Sequence, residues 1–343
     1  MSEQIASNHL IDQFQRTIRY LRLSVTDRCN LRCTYCMAED MVFLPKAKVL
    51  SLEEMALVGK TFVGLGVEKI RLTGGEPLVR KGVMQLARSL GELPGLRELV
   101  MTTNGVLLDQ YATELKSVGM SRINISLDTL DSDRFKAMTR FGDIQDVMRG
   151  IKAAKAAGFA RIKLNAVVLK GVNDHEVLDL TRFAVNEGLD ISFIEEMPLG
   201  DIDSHARSKT SLSSQSISDQ LDAEFGLDDY HFNDLAAGPS RYQAVKGTDT
   251  RVGFISPMTN NFCSTCNRVR VTTEGQLLLC LGNEDAVDLK GIIREGQKAG
   301  QSDAQIEEFL AVAIRDSMQR KPEKHEFDPN EIKIQRFMSA TGG

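Results

Sequence analysis

Residues 19 to 197 repeat one supersecondary unit, and that alternation restricts the fold more than any other feature of the chain. Apolar, β-branched runs stand at Tyr20–Val25, Lys69–Leu72, Glu98–Thr102, Arg122–Leu127, Ile162–Val168 and Ile191–Ile194. Stretches of helical period separate them, among them SLEEMALVGKTFVGLG, VMQLARSLGEL, IQDVMRGIKAAKAAG and EVLDLTRFAVNEG. The first opens with a capping-box pattern, Ser51 to Glu54. Gly119, Gly158 and Gly188 stand where helices end on a left-handed residue. Strand–helix units in series predict an α/β fold whose parallel sheet has right-handed crossovers. An open doubly wound sheet and a full or partial barrel both satisfy the pattern.

Both architectures put ligands at the carboxyl ends of the strands. Polar and glycine residues should therefore gather there, and they do. The runs end in Thr26-Asp27-Arg28, Thr73-Gly74-Gly75-Glu76-Pro77, Thr102-Thr103-Asn104-Gly105, Ser126-Leu127-Asp128 and Glu195-Glu196-Met197-Pro198, and the fifth carries Lys163 and Asn165. From Gly200 to about Ser240 the composition turns polar and serine-rich, which predicts a loop, a helix over Ser216–Phe225 and a connecting segment. The expected division is residues 1–240, carrying the repeated units, and residues 241–343, a smaller C-terminal region.

Six cysteines fall into two triplets with none left over. Cys29, Cys33 and Cys36 read C-x3-C-x2-C, in the loop after the first strand. Cys263 and Cys266 form C-x2-C, and Cys280 follows after thirteen intervening residues. No apolar run approaches the roughly 20 residues of a membrane helix. The N-terminus lacks the apolar stretch of a signal peptide, so the expectation is a cytoplasmic protein with no membrane partner. There disulfides are rare and patterned cysteines bind metal or do chemistry. Three cysteines within eight residues would also pair badly. Structural zinc wants four ligands, and none of His9, His175, His205, His231 and His325 is near a triplet in sequence. A [4Fe–4S] cube on three cysteines keeps one iron open. An electron carrier usually uses four cysteines, so the open iron suits catalysis.

The net charge of −5 argues against nucleic-acid binding, which wants a basic surface. An anionic substrate must then be caught by local cations. Arg268 and Arg270 alternate on an apparent strand beside the second triplet and so face one side, where two guanidinium forks suit a polyphosphate or carboxylate. Ser126 and Asp128 are read either as caps of a helix opening near Asp131 or as cofactor contacts. Met197 is read as core filler or as a cofactor neighbour.

The first triplet, with Tyr35 before its last cysteine, resembles the signature of radical S-adenosylmethionine (SAM) enzymes. Within them the chain is similar to the GTP 3′,8-cyclases of molybdenum cofactor biosynthesis. YLRLSVTDRCNLRCTYCM, RLTGGEPLVR, TTNG, INISLDTL, KLNAVVLKGVND, GPSRYQ, FCSTCNRVRVTTEGQLLLCL and the terminal GG carry the likeness. One departure is Gly282-Asn283-Glu284, where the family has a more apolar Phe-Gly.

The resemblance implies a partial (β/α)6 TIM-type barrel whose smaller C-terminal region carries a second iron–sulfur cluster. It implies two [4Fe–4S] clusters, on Cys29, Cys33 and Cys36 and on Cys263, Cys266 and Cys280, with SAM as cofactor. Cleavage of SAM would give a 5′-deoxyadenosyl radical that takes the 3′ hydrogen of GTP, and the ribose radical would attack guanine C8. Tyr35, Gly75, Ser126 and Met197 fall at cofactor-contacting positions. Arg22, Arg71, Thr102, Lys163, Arg268 and Arg270 fall at GTP-contacting ones, and all but Thr102 are Arg or Lys. Arg268, Arg270, Gly342 and Gly343 are the expected catalytic positions, the GG tail reaching into the site. The implied class is lyase. The implied partners are a cyclic pyranopterin monophosphate synthase downstream, a flavodoxin or ferredoxin as electron donor, and a second copy of the chain in a homodimer. Other readings compete. A two-cluster peptide maturase would bring more cysteines to the auxiliary region. A non-enzymatic iron–sulfur electron carrier would have four cysteines per cluster, and a zinc-binding adaptor would have no use for TGGEP.

Overall fold

Eight parallel strands form the centre of one sheet. The computed structural model describes residues 9–200, 202, 207–230, 234–328 and 331–342. Strands β1 (Tyr20–Ser24), β2 (Lys69–Thr73), β3 (Glu98–Thr103), β4 (Met120–Ser126), β5 (Arg161–Val167) and β6 (Asp190–Ile194) lie side by side in chain order. These are the six runs read from the sequence, with ends shifted by one or two residues.

The C-terminal region extends both edges of this sheet. β7 (Arg251–Ile255) pairs parallel with β6, and β8 (Arg268–Val271) pairs parallel with β1. Antiparallel strands follow outside them, Arg241–Val245 and Leu227–Asp229 beyond β7, Gln276–Leu278 and Ala286–Asp288 beyond β8. Among the described residues the two outermost strands do not pair. The architecture is an open, partial α/β barrel.

Helices Leu52–Gly64, Val83–Gly91, Leu108–Ser117, Ile144–Ala156 and Val177–Glu187 return the chain between strands. Both hydrogen bonds of the Ser51–Glu54 capping box form. Gly119, Gly158 and Gly188 all take positive φ. The helix placed over Ser216–Phe225 starts two residues earlier, at Ser214, where the Ser213 side chain caps it. The loop reading at residues 201, 203–206 and 231–233 lies outside the described residues.

Strand alternation sorts the side chains into two environments. Leu21, Leu23, Ile70, Leu72, Ile123, Ile125, Leu164 and Phe193 face the helices and join one buried core. Each contributes roughly 1.5–3 kcal/mol relative to exposure. The inward residues are different. A closed TIM barrel fills its lumen with branched apolar layers. Here Tyr20, Arg22, Lys69, Arg71, Arg122, Asn124, Arg161 and Lys163 line it instead. Such side chains cannot fuse into a core, so the lumen stays a chamber.

A candidate active site of two joined chambers

At the carboxyl ends of the strands the lumen widens into an upper chamber. Cys29, Cys33, Cys36, Tyr35, Gly75, Ser126 and Met197 all line it. The cysteine loop is fixed from within by the Cys36 N–H donating to the Cys33 carbonyl at 2.9 Å. It is fixed from outside by β2. A Cβ on Gly75 would lie 2.4 Å from the Arg28 carbonyl oxygen, and one on Gly74 2.3 Å from that of Thr26. The resemblance gave Gly75 to a cofactor contact. The structure uses the bareness of both glycines first against the cysteine loop's own backbone, with Gly75 and Glu76 N–H donating to Thr26 and Arg28 carbonyls at 2.8 Å. The buried Glu76 carboxylate then accepts from Leu78 N–H, Thr103 Oγ1 and Asn104 N–H. Burial raises its pKa to about 7 against those three donors.

Asp128 does not cap a helix; Asp131 does, accepting from Arg134 N–H at 2.7 Å. Asp128 accepts instead from Tyr35 Oη at 2.6 Å and Val167 N–H at 2.8 Å, tying the cysteine loop to β4 and β5. Burial lifts its carboxyl to about 6.

The lower chamber lies toward the middle and amino ends of the strands. Arg22, Arg71, Thr102, Lys163, Arg268 and Arg270 all line it, with Cys263, Cys266 and Cys280. Thr102, Asn165, Ile194, Met197 and Met338 border both chambers and so mark where they join.

The charges here are layered along the barrel axis. At the amino ends they are paired, with Lys69 and Arg122 on Glu98 and Arg161 and Arg251 on Asp190. One layer higher the cations meet hydroxyl, carbonyl and aromatic groups in place of carboxylates. Arg71 donates to the Tyr20 hydroxyl, the Met101 carbonyl and Thr102. Lys163 donates to Tyr242 Oη at 3.0 Å. Arg268 stacks over Phe262 at 4.8 Å. Burial, then Arg22 and Arg268, hold the Arg270 guanidinium well below its ordinary pKa. Burial opposes ionisation of the Tyr20 hydroxyl, but Arg71, Arg22 and Lys69 overcome it and lower its pKa to about 6. Among the described residues no carboxylate pairs with Arg71, Lys163, Arg268 or Arg270 here.

The tail enters the same layer. The Gly342 carbonyl accepts from Arg22 at 3.2 Å and from Arg270. Gly342 holds φ +76°, and a Cβ there would fall 1.7 Å from Thr73 Oγ1, so only glycine seats this way. Gly343 lies outside the described residues.

Tyr20, Lys69, Arg122, Arg161, Arg251 and Tyr242 went unread in the sequence. A period-2 count outward from Arg22, Arg71 and Lys163 would have found the first two and Arg161. His325 was set aside for its sequence distance, yet it lines the lower chamber. Its Nδ1 accepts the Phe327 N–H at 3.2 Å, which leaves Nε2 to donate to the Pro257 carbonyl at 2.8 Å. Both ring nitrogens are engaged, so it supplies no fourth ligand to the second triplet.

The thiols suit iron–sulfur clusters. Among the described residues no three His, Cys, Asp or Glu side chains converge as on a single metal ion. A cube spreads its ligands over separate irons and makes no such demand. In the upper chamber burial raises the Cys29 thiol to about 11 and Cys33 well above its ordinary value. A metal must displace those protons. In the lower one burial is outweighed by Arg268 and Lys321, which bring the Cys266 thiol down to about 7.

A family model described as the Radical SAM superfamily matches residues 23–184, and one described as Molybdenum Cofactor Synthesis C matches residues 189–327. The chain is 54% identical to the GTP 3′,8-cyclase of Pseudomonas putida (strain GB-1), over 98% of this chain and 99% of that one. It is 55% identical to that of Pseudomonas entomophila (strain L48), over 97% and 98%, and 52% to that of Pseudomonas fluorescens (strain Pf0-1), over 100% of both. Among solved structures, Streptococcus suis SuiB bound to S-adenosylmethionine is similar with a TM-score of 0.60. That match covers 80% of this chain and 64% of SuiB at 15% identity, a likeness of fold.

Proposed function

The chain belongs to the GTP 3′,8-cyclase family of radical SAM proteins, and on that premise we propose that the upper chamber holds SAM and the lower chamber holds GTP. The activity is the cyclisation of GTP to (8S)-3′,8-cyclo-7,8-dihydroguanosine 5′-triphosphate, the first step of molybdenum cofactor synthesis. The cofactors are SAM and two [4Fe–4S] clusters. When bound, they supply a 5′-deoxyadenosyl radical that takes the 3′ hydrogen of GTP, so that the ribose carbon attacks guanine C8. Family membership over nearly the whole chain sets aside the maturase and electron-carrier readings.

One observation carries the assignment of chambers. The anion-poor layer of Arg71, Lys163, Arg268 and Arg270 shares one lumen with both cysteine triplets. Buried guanidinium groups that repel one another are stabilised by a polyanion. They bind the triphosphate, and their fixed places on β2, β5 and β8 orient the ribose toward the upper chamber. Cys29, Cys33 and Cys36 hold one cluster there, with Tyr35, Gly75, Ser126 and Met197 around SAM. Cys263, Cys266 and Cys280 hold the other beside the guanine. The Gly342 carbonyl, set between Arg22 and Arg270, keeps these two side chains directed inward until substrate arrives. Residues 1–240 carry the radical-generating barrel, and 241–343 the second cluster with the substrate-binding Arg268 and Arg270. The lyase class, the cytoplasmic location, a downstream cyclic pyranopterin monophosphate synthase, a flavodoxin or ferredoxin donor and a homodimer belong to the same proposal. No helix among the described residues is long and apolar enough to cross a membrane.

Anaerobic incubation with GTP, SAM and a reductant tests the reading. One hydrogen leaves C3′ and one is gained at nitrogen, so the product has the mass of GTP and a different retention. Deuterium at C3′ should pass into 5′-deoxyadenosine. Deuterium retained in the nucleotide would overturn the assignment.

A further inference from the structure

One buried lysine has no carboxylate to answer it. Lys321 follows the helix Asp303–Ser317 and a short 3-10 turn, and is 1% exposed. Its ammonium donates to the Arg268 carbonyl at 3.0 Å and to the Leu279 carbonyl, and lies 3.7 Å from Cys266 Sγ. Among the described residues no Asp or Glu forms an ion pair with it. An ammonium taken from water loses several kcal/mol of solvation unless a counter-charge replaces it. Two carbonyls satisfy two of its three hydrogens but leave its charge unanswered. The ionisable groups beside it that can carry negative charge are the thiols of Cys266 and Cys280, both of which feel Lys321.

The choice of carbonyls matters too. Arg268 lies two residues after Cys266, and Leu279 immediately precedes Cys280. One ammonium therefore fastens two of the three ligand-bearing segments. The third is held by a neighbour. Arg16, from the N-terminal hairpin, donates to the Cys263 carbonyl at 2.7 Å. Its guanidinium also donates to the carbonyls of Pro322 at 2.7 Å and Glu323 at 2.8 Å, the two residues after Lys321. Two cations joined through one short stretch of chain thus hold all three cysteine segments. At the first triplet the donors aimed at Cys29 Sγ are neutral, the Leu31 N–H at 3.4 Å and the Asn104 amide at 3.7 Å.

We propose that Lys321 is the positioning residue of the second cluster, presetting Cys266 and Cys280 and supplying the positive charge that retains the anionic thiolate set and eases the cluster's reduction. The proposal rests on the second triplet being a cluster site. Outer-sphere partners of metal ligands change metal affinity by 10–100-fold, and charge beside a cluster moves its potential.

The test compares the full chain, anaerobically reconstituted, as wild type, Lys321→Met, Lys321→Arg and Cys280→Ser. Wild type should hold about eight irons and Cys280→Ser about four. In Lys321→Met, iron should leave the second site to a chelator at least about tenfold faster. Its second cluster, followed by paramagnetic resonance during redox titration, should reduce at a more negative potential while the first is unmoved. Lys321→Arg should restore both values. If Lys321→Met does not fold, Lys321→Gln carries the same readouts. Unchanged release and potential, or a lowered melting temperature with an unmoved second-cluster potential, overturn the proposal. A wild type holding only about four irons overturns the cluster reading itself, and the proposal with it.

Discussion

Arg268 reaches the lower chamber from β8 with an aromatic ring beneath it and, among the described residues, no carboxylate opposite it. Its charge is held ready for an incoming anion. Arg268→Ala should weaken GTP binding by about 2 kcal/mol, roughly 30-fold, while 5′-deoxyadenosine can still form. Anaerobic equilibrium dialysis with GTP checks this, and unchanged affinity would contradict it. Glu76 makes a prediction about pH. Burial raises its carboxyl from 4.5 to about 7 in the folded chain. Between those values the folded protein keeps a proton that the unfolded chain has released, so stability falls as pH rises through the window and levels above it. Melting curves from pH 5 to 8 should show that slope, and Glu76→Gln should flatten it between about pH 6 and 7, Asp128 contributing a slope of the same sign below about 6. Much of the site was legible at this scale, because a motif names its own residues. All six cysteines, the four cofactor positions and the six GTP positions line one or other of the two chambers. What stayed hidden lay on the same strands. Tyr20 and Lys69 sit two residues before Arg22 and Arg71 and face the same lumen. Lys321 carried no motif, and only the fold brings it to Cys266.

The elements owe their order to close contacts that a side chain would block. Gly150 sits inside the helix Ile144–Ala156, where a Cβ would fall 2.3 Å from the Gly105 carbonyl oxygen. Two effects oppose each other in Gly150→Ala. Helix propensity favours alanine by about 1 kcal/mol. Collision with a backbone atom costs about 1–3 kcal/mol, because no rotamer can relieve it. The collision should win, leaving a net loss of about 1 kcal/mol, and a raised melting temperature would refute that. The six central strands were legible because apolar runs and turns recur at regular intervals. β7 and β8 were not recognised as their neighbours. Their pairing partners lie far away in sequence, and nothing local encodes a long-range parallel pairing. The Gly282 departure has a local reason: a Cβ there would meet the His325 Cβ at 2.8 Å and the Phe327 ring at 3.1 Å. A ring brought from further along the chain occupies that space.

For the whole molecule, the C-terminal region supplies both lateral partners of the six-stranded sheet. Residues 1–240 alone would leave the outer edges of β1 and β6 unpaired, and buried parallel strands tolerate such edges poorly. That fragment should aggregate or melt without cooperativity, and a monomer with a sharp transition would show the sheet stands alone.

The layered charges have a kinetic meaning. In the amino-end belt four cations share two carboxylates, whereas in the next layer no carboxylate pairs with Arg71, Lys163, Arg268 or Arg270 among the described residues, so the electric potential climbs along the barrel axis. A triphosphate at the mouth moves down a slope in energy toward the second triplet. Walls of low polarizability narrow that field, and dissolved salt shortens its reach to about 8 Å in physiological medium. Capture should therefore be fast in dilute buffer and slow as ions accumulate, while the charges touching the bound nucleotide are screened far less.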